Sequence, residues 1–355
     1  MPRRFPETTL REFAETALAA VGAAPNAASV VAGTLLEADR YGISSHGLVR
    51  VPSYCAQARA GEVSPGAEPR IERSNGPTAV VDGGRGFGAV TGMFAVNEAV
   101  TRAEEHGIGF VAARGGNHFG AASCYSRRVA DRGLVGVVAT NTPAVMAPWG
   151  GAEARLGNNP LSVAAPMPGP APPFVLDMAL SAVSRGRIKL AELNGERIPD
   201  DWALGPDGSP TSDPASALAG VLLPFGGYKG SGLALAVEVL TACLAGGDLG
   251  ADLVNSSLTG GPARTSGSVV GQTTSIYVAL DPACFGGRRA FLERMGRLAA
   301  AIESTPLAPG FAEVVLPGSL EARAAEAAAH EGIALEETTV ELLEAFARRE
   351  GIGFP

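Results

Sequence analysis

The spacing of apolar and polar positions changes character near residue 76. Before it, the spacing is helical. Thr9-Leu-Arg-Glu12 reads as a capping box opening a helix that runs to about Val21, with Gly22 as its stop. Asn26 reads as the cap of a second helix over about 27–40, in which Val30, Val31, Leu35 and Leu36 recur on one face. That helix leads into Arg40-Tyr-Gly-Ile-Ser-Ser-His-Gly-Leu-Val-Arg50, a Gly-interrupted polar loop, and then a third helix. Beyond 76, the runs Thr78–Asp82, Gly109–Ala113, Val135–Ala139 and Phe174–Asp177 are short, β-rich and bounded by Gly or Pro. Helical stretches over about 89–105 and 121–131 lie between some of them. Residues 231–245, 288–303 and 319–331 predict further helices, Thr274–Leu280 a strand, and Val183–Thr211 a polar surface excursion. Strands alternating with helices give the α/β class, with a mixed sheet and flanking helices. The expected organisation is a helical subdomain of residues 1–75 joined by 305–355, around an α/β body of 76–304.

Composition narrows the function. The 355 residues suit one large domain or two, and 46% hydrophobic with 18% charged residues gives a sizeable core and excludes wholesale disorder. Gly 47 and Pro 26 follow no three-residue period, which excludes collagen and points to many turns. The net charge is -8 and no Lys/Arg block stands out, so neither nucleic acid nor an anionic membrane is the expected partner. Cys55, Cys124, Cys243 and Cys284 lie far apart without metal-ligand spacing. They are expected to be buried thiols in a reducing compartment, with no metal site. The first residues hold no apolar signal core, and the uncharged stretches 133–152 and 156–176 are broken by Gly, Asn and Pro. A soluble, cytoplasmic protein is expected.

No G-x-G-x-x-G, P-loop, H-E-x-x-H or G-x-S-x-G occurs, so the usual Rossmann, NTPase, zincin and hydrolase signatures are missing. Gly84-Arg-Gly-Phe-Gly-Ala89 matches a looser form that so Gly-rich a chain produces by chance. The four histidines carry more. His46 sits in Ser44-Ser-His-Gly-Leu-Val-Arg50, pairing an imidazole able to move a proton with an Arg able to hold a carboxylate. A helix-end histidine and a surface arginine would give the same spacing. His118, in Arg114-Gly-Gly-Asn-His-Phe-Gly120, follows an apolar run directly, where α/β proteins place site residues; a capping or core histidine fits equally. His106 and His330 read as ordinary helix-end residues. In Pro224-Phe-Gly-Gly-Tyr-Lys-Gly-Ser-Gly232, glycines lead into a helix whose first N–H groups and Lys229 favour an anion such as a pyrophosphate.

These segments, in order, resemble the malate/L-lactate/L-sulfolactate dehydrogenase family, which lacks a Rossmann fold. The matching stretches are Asp39–Tyr54, Asn117-His-Phe-Gly120, Asn141-Thr-Pro143, Pro148-Trp-Gly-Gly151, Gly157-Asn-Asn-Pro160 and Asp177-Met-Ala179. Gly186-Arg-Ile188, Pro210–Pro214, Pro224–Gly232 and Leu316-Pro-Gly318 follow, so the series spans nearly the whole chain. The resemblance implies a non-Rossmann NAD(P)-binding fold, a homodimer, and hydride transfer between nicotinamide and a small 2-oxo or 2-hydroxy acid. The body 76–304 would then bind both cofactor and substrate. Some relatives instead reduce a cyclic imino acid, the leading alternative; a non-catalytic nucleotide-binding relative is the other.

Carried over by position, the resemblance implies His46 and His118 as acid/base candidates, Arg50 and Ser45 beside them, and Asp177 either orienting a histidine or facing the nicotinamide. It also implies that Asn141, Asn159, Asp177, Met178 and Ala179 contact the cofactor. Tyr228, Lys229, Gly230, Gly318 and Ser319 complete that set. Three positions depart from the family pattern: Arg187 stands where Lys is usual, Gly205 where an Asp is common, and Ser319 where Glu is usual. If that Glu touches the ribose, Ser319 relaxes exclusion of a 2′-phosphate, so the cofactor is expected to be NAD or NADP.

Overall fold

The computed structural model describes residues 2–254, 269–270 and 272–355. The chain forms two compact units: Met1–Val138 with Ser162–Asp177 and Tyr277–Pro355, and Ala139–Leu161 with Met178–Ile276. The boundary is therefore not at 75/76. The helices of both termini belong to the same unit as most of the sheet, because one apolar core runs from Leu10, Phe13, Leu35 and Leu36 through Val340, Leu343 and Phe346 to Phe87 and Ala89.

In the first unit, Glu7–Ala19, Pro25–Arg40, Val51–Arg59 and Glu337–Glu350 are helices, and a short antiparallel pair, Arg3–Phe5 with Ile333–Leu335, ties the chain ends together. The first helix starts ahead of the expected capping box. Pro6 is its N-cap, and the Thr9 hydroxyl donates to the Pro6 carbonyl at 2.9 Å. The second helix starts at Pro25, whose fixed φ suits the first helical position, with Ala24 rather than Asn26 at the cap.

A seven-stranded sheet has the order Arg70–Asn75, Thr78–Asp82, Ile108–Gly116, Thr273–Leu280, Val135–Thr140, Leu161–Ala165, Phe174–Met178. Its first two strands pair antiparallel and the second and third parallel, so the sheet is mixed as expected. The edge strand Arg70–Asn75 is exposed throughout and reads Arg-Ile-Glu-Arg-Ser-Asn, which hides it from a hydrophobic pattern and suits an edge that must not pair further. The helix Gly88–His106 joins the two parallel strands.

In the second unit, two-residue strands Ala203–Leu204 and Val221–Leu222 pair antiparallel. Met146 exchanges backbone hydrogen bonds with Leu156, and the Ala147 amide donates to the Leu222 carbonyl. Met146, Leu180 and Ile188 are fully buried there. The polar excursion contains a helix, Arg185–Asn194, whose Ser184 side chain accepts from the Arg187 amide. The helix Tyr228–Glu238 continues into a wider turn, Val239–Cys243.

All four cysteines are free thiols, but only Cys55 and Cys124 are buried; Cys243 and Cys284 are exposed at helix and turn ends. Among the described residues no helix is long and apolar enough to cross a membrane.

Candidate active site

Two tight turns between long helices build one side of the site. After Arg40, the chain makes 3-10 turns at Ser44–His46 and Leu48–Arg50 and then enters the helix Val51–Arg59. Leu48 is buried and pins the pair of turns, leaving Ser45 exposed and His46 and Arg50 half-buried. The Ser45 hydroxyl lies 2.9 Å from His46 Nδ1, and Arg50 Nε donates to the Ser45 carbonyl at 2.7 Å. Tyr54, one helical turn after Arg50, is buried with its ring 6.4 Å from Phe87.

His118 forms the other side, just beyond the strand Ile108–Gly116. Asn117 fixes that exit by donating its side-chain amide to the carbonyls of Arg85 and Gly86 at 3.1 and 3.0 Å. The helix starting at Gly88 then packs onto the loop so closely that a Cβ at Gly88 would stand 2.1 Å from the Asn117 carbonyl oxygen and 2.6 Å from that of His118. Tyr54 Oη lies 2.7 Å from His118 Nδ1, and the Gly120 amide, which can only donate, approaches the same nitrogen at 3.4 Å. Nδ1 is therefore the lone-pair nitrogen, Tyr54 donates to it, and the ring proton sits on Nε2. The two imidazoles stack with centroids 5.4 Å apart and planes 17° from parallel.

Burial and then the Arg50 charge push His46 down to about 4. Burial, His46 and Arg50 together hold His118 well below the usual histidine range. Burial pushes the Tyr54 phenol upward, so it keeps its proton. At neutral pH the constellation is thus two neutral imidazoles beside one fixed cation. It can bind an anion at Arg50 and exchange a proton with an oxygen nearby.

The structure brings Ser45, His46, Arg50 and His118 together. Asp177 is on the same unit, but its Oδ2 accepts the Ser123 amide at 2.8 Å; among the described residues no hydrogen bond links it to either histidine. Gly318 abuts Val175, on Asp177's strand, where a Cβ would come within 3.0 Å, and Ser319 opens the next helix.

The remaining expected cofactor residues belong to the second unit. Asn141 and Asn159 have no exposed surface at all. The Asn141 amide donates to the Asp248 carbonyl at 2.8 Å and to Glu238 Oε2 at 3.4 Å, while its oxygen accepts the Thr274 amide. Asn159 donates to Glu238 Oε1 and the Ala234 carbonyl, both at 3.0 Å, and accepts the Thr142 amide. Their side chains thus satisfy a buried carboxylate in the interior, and contact with a ligand would require these bonds to open. Gly230 is also buried, because a Cβ there would stand 2.2 Å from the Phe225 carbonyl oxygen. Tyr228 and Lys229 are exposed at the start of their helix, which follows Gly226 and Gly227 with φ of 58° and 65°. Gly227 lies under the Trp149 ring, 2.9 Å from where its Cβ would be. Met178 and Ala179 are half-buried just after Asp177.

Three residues were not singled out from the sequence: Asp39, Tyr54 as the partner of His118, and Glu238. Glu238 left a trace, being the one charge between Gly230 and Gly247.

Residues 5–344 match the family model described as malate/L-lactate dehydrogenase. The chain belongs to the malate/L-lactate dehydrogenase family. It is 38% identical over 298 residues to the L-sulfolactate dehydrogenase of Methanocaldococcus jannaschii, covering 83% of each chain. It is 41% identical over 280 residues to the (2R)-3-sulfolactate dehydrogenase (NADP(+)) of Chromohalobacter salexigens, covering 78% of this chain and 81% of that one. The solved structure of the sulfolactate dehydrogenase from Methanocaldococcus jannaschii superposes with a TM-score of 0.88 at 32% identity, covering 99% and 98% of the two chains. As a malate/L-lactate dehydrogenase family member, the chain is an NAD(P)-dependent oxidoreductase of hydroxy acids, and its mixed-sheet fold is that family's fold.

Proposed function

We propose that this protein interconverts a small 2-oxo acid and its 2-hydroxy acid at the His46–His118 pair, with Arg50 holding the substrate carboxylate. The observation that supports this most strongly is the stacked pair of neutral imidazoles beside one guanidinium, with Tyr54 bonded to one ring. A guanidinium offers a carboxylate two parallel hydrogen bonds, which fixes the adjacent C2 carbonyl in position. A bound carboxylate also cancels the positive field that helps keep both histidines neutral, so substrate raises their proton affinity. The pair then holds the one proton the oxygen on C2 needs; a positioned acid of this kind contributes ~10²–10⁴-fold. His118 delivers it from Nε2: the added proton is taken up at Nδ1, where Tyr54 Oη turns from donor to acceptor, so that loss of the Nε2 proton leaves a neutral ring. Arg50 and Ser45 keep His46 in place through the Ser45 carbonyl and hydroxyl.

The second unit supplies features that fit a dinucleotide: exposed Trp149 and Tyr228, Lys229, and a helix start reached through two left-handed glycines. The nicotinamide, when bound, supplies or accepts the hydride at C2. In the first unit, Asp177, Gly318 and Ser319 are proposed as cofactor contacts, with Ser319 leaving NADP admissible beside NAD.

The proposed assembly is a homodimer in the cytoplasm. On the helix at 228–244, Leu235, Val239 and Leu244 are 51%, 59% and 60% exposed, large apolar side chains of the kind a second copy covers. Four free thiols, two of them exposed, suit a reducing compartment. Oxidation of NADH or NADPH on adding a 2-oxo acid tests the reaction, and light scattering on the eluted protein tests the assembly. No turnover with any 2-oxo acid would refute the first, and a monomeric mass the second.

A further inference from the structure

The loop that carries His46 and Arg50 is closed from below by a group outside the reacting set. Asp39 is buried in the last turn of the helix Pro25–Arg40, and its Oδ2 accepts the Leu48 amide at 2.7 Å. Leu48 opens the second 3-10 turn, between His46 and Arg50. Gly47 crosses directly over the same carboxylate. A Cβ at Gly47 would stand 1.9 Å from Asp39 Oδ1, 2.1 Å from Cγ and 2.3 Å from Oδ2. The Gly47 φ is negative, at -88°, and the three atoms nearest to a Cβ there all belong to this carboxylate, so the carboxylate is the first obstacle a side chain would meet.

We propose that Asp39 is a positioning residue, seated beneath the Gly47–Leu48 peptide, that sets the relative placement of His46 and Arg50. The two residues lie on separate short turns joined only through Gly47, and a 3-10 turn of three residues is a poor guarantor of its own geometry. The Asp39–Leu48 bond is a side-chain hydrogen bond from the preceding helix to that junction. Removing it frees one turn to rotate against the other without disturbing the helix core around Leu35 and Leu36. A carboxylate is a costly choice for a buried anchor: burial pushes Asp39 up to about 7, and the Leu48 amide opposes that. A small apolar residue at 39 would leave the Leu48 amide unsatisfied, while Gly47 keeps the space above an acid free.

This inference rests on the active-site assignment above, and the test separates the two. Asp39→Asn keeps an oxygen for the Leu48 amide; Asp39→Ala does not. Exchange of the Leu48 amide proton, read by NMR on full-length protein, reports the latch without any turnover. It should be slow in the native protein and in Asp39→Asn, and at least tenfold faster in Asp39→Ala with the fold retained. With a turned-over 2-oxo acid, Asp39→Ala should raise KM and lower kcat by about tenfold each, since Arg50 and His46 both loosen, and Asp39→Asn should restore most of each. Gly47→Ala should be as damaging as Asp39→Ala, yet add nothing in the Asp39→Ala background, where the carboxylate it strikes is gone. Unchanged Leu48 exchange in a folded Asp39→Ala protein, or additive losses in the double variant, would overturn the proposal. Altered exchange with no turnover of any acid would leave the latch standing and refute the reaction instead. If Asp39→Ala does not fold, the Asn variant and the Gly47 pair still decide: a folded Asp39→Asn with fast exchange also overturns it.

Discussion

Gly88→Ala probes how tightly His118 is placed. The new methyl would stand 2.1 Å from the Asn117 carbonyl oxygen and 2.6 Å from both the carbonyl carbon and oxygen of His118. All three are backbone atoms, so no rotamer change relieves the overlap, and Asn117 is held to Arg85 and Gly86 by its side chain. The 117–118 segment or the helix start must therefore move by about 1 Å to reach ordinary contact, and misplacement by ~1 Å at a reacting group costs ~10²-fold, near 2.7 kcal/mol of barrier. The same overpacking should lower stability by about 1–3 kcal/mol. Steady-state kcat and KM with a 2-oxo acid, alongside urea unfolding, measure both. Gly66→Ala is the control, because nothing lies within 4 Å of its Cβ position, and it should leave both unchanged. A Gly88→Ala enzyme with native kcat/KM would refute the claim that His118 must sit where the structure has it.

His118→Ala and His46→Ala should each lower kcat, the former by ~10²–10⁴-fold, measured at saturating substrate, with His46→Ala losing less. Asn159→Ala removes one donor to buried Glu238, one to the Ala234 carbonyl and the acceptor of the Thr142 amide, and should destabilise the protein by about 2–4 kcal/mol in urea unfolding. Two groups of the site pull the pH dependence of stability in opposite directions. Unfolded His46 takes up a proton near its usual 6.5 while the folded ring, near 4, does not, so this group makes stability rise with pH between those values; His46→Gln should flatten that rise by about 1–3 kcal/mol. Folded Asp39, pushed up to about 7 from 3.8, keeps its proton longer than the unfolded carboxyl, so it makes stability fall as pH rises through that window, and Asp39→Asn should remove the fall.

The α/β class, most helices and the residues around His46 and His118 were legible because each leaves a local mark. A hydrophobic period shows a helix, and a polar residue just past an apolar strand shows a site. What was not legible depends on distant partners. The strand Arg70–Asn75 carries no apolar face because all six of its residues are exposed. The burial of Asn141 and Asn159 goes with a carboxylate that lies 97 and 79 residues further along the chain. Tyr54 becomes the partner of His118 only when the chain brings residues 64 apart to 2.7 Å. The boundary between units was missed for the same reason: the terminal helices read as a separate layer until Phe87 and Ala89 are seen inside their core.

The most direct test of the account is nicotinamide absorbance followed with purified protein, NADH and NADPH in parallel, over pyruvate, oxaloacetate, a sulfonated 2-oxo acid and a cyclic imino acid. The account predicts turnover of at least one 2-oxo acid that is lost in His118→Ala and weakened through KM in Arg50→Ala. Turnover confined to the imino acid, or 2-oxo acid turnover indifferent to both substitutions, would contradict it.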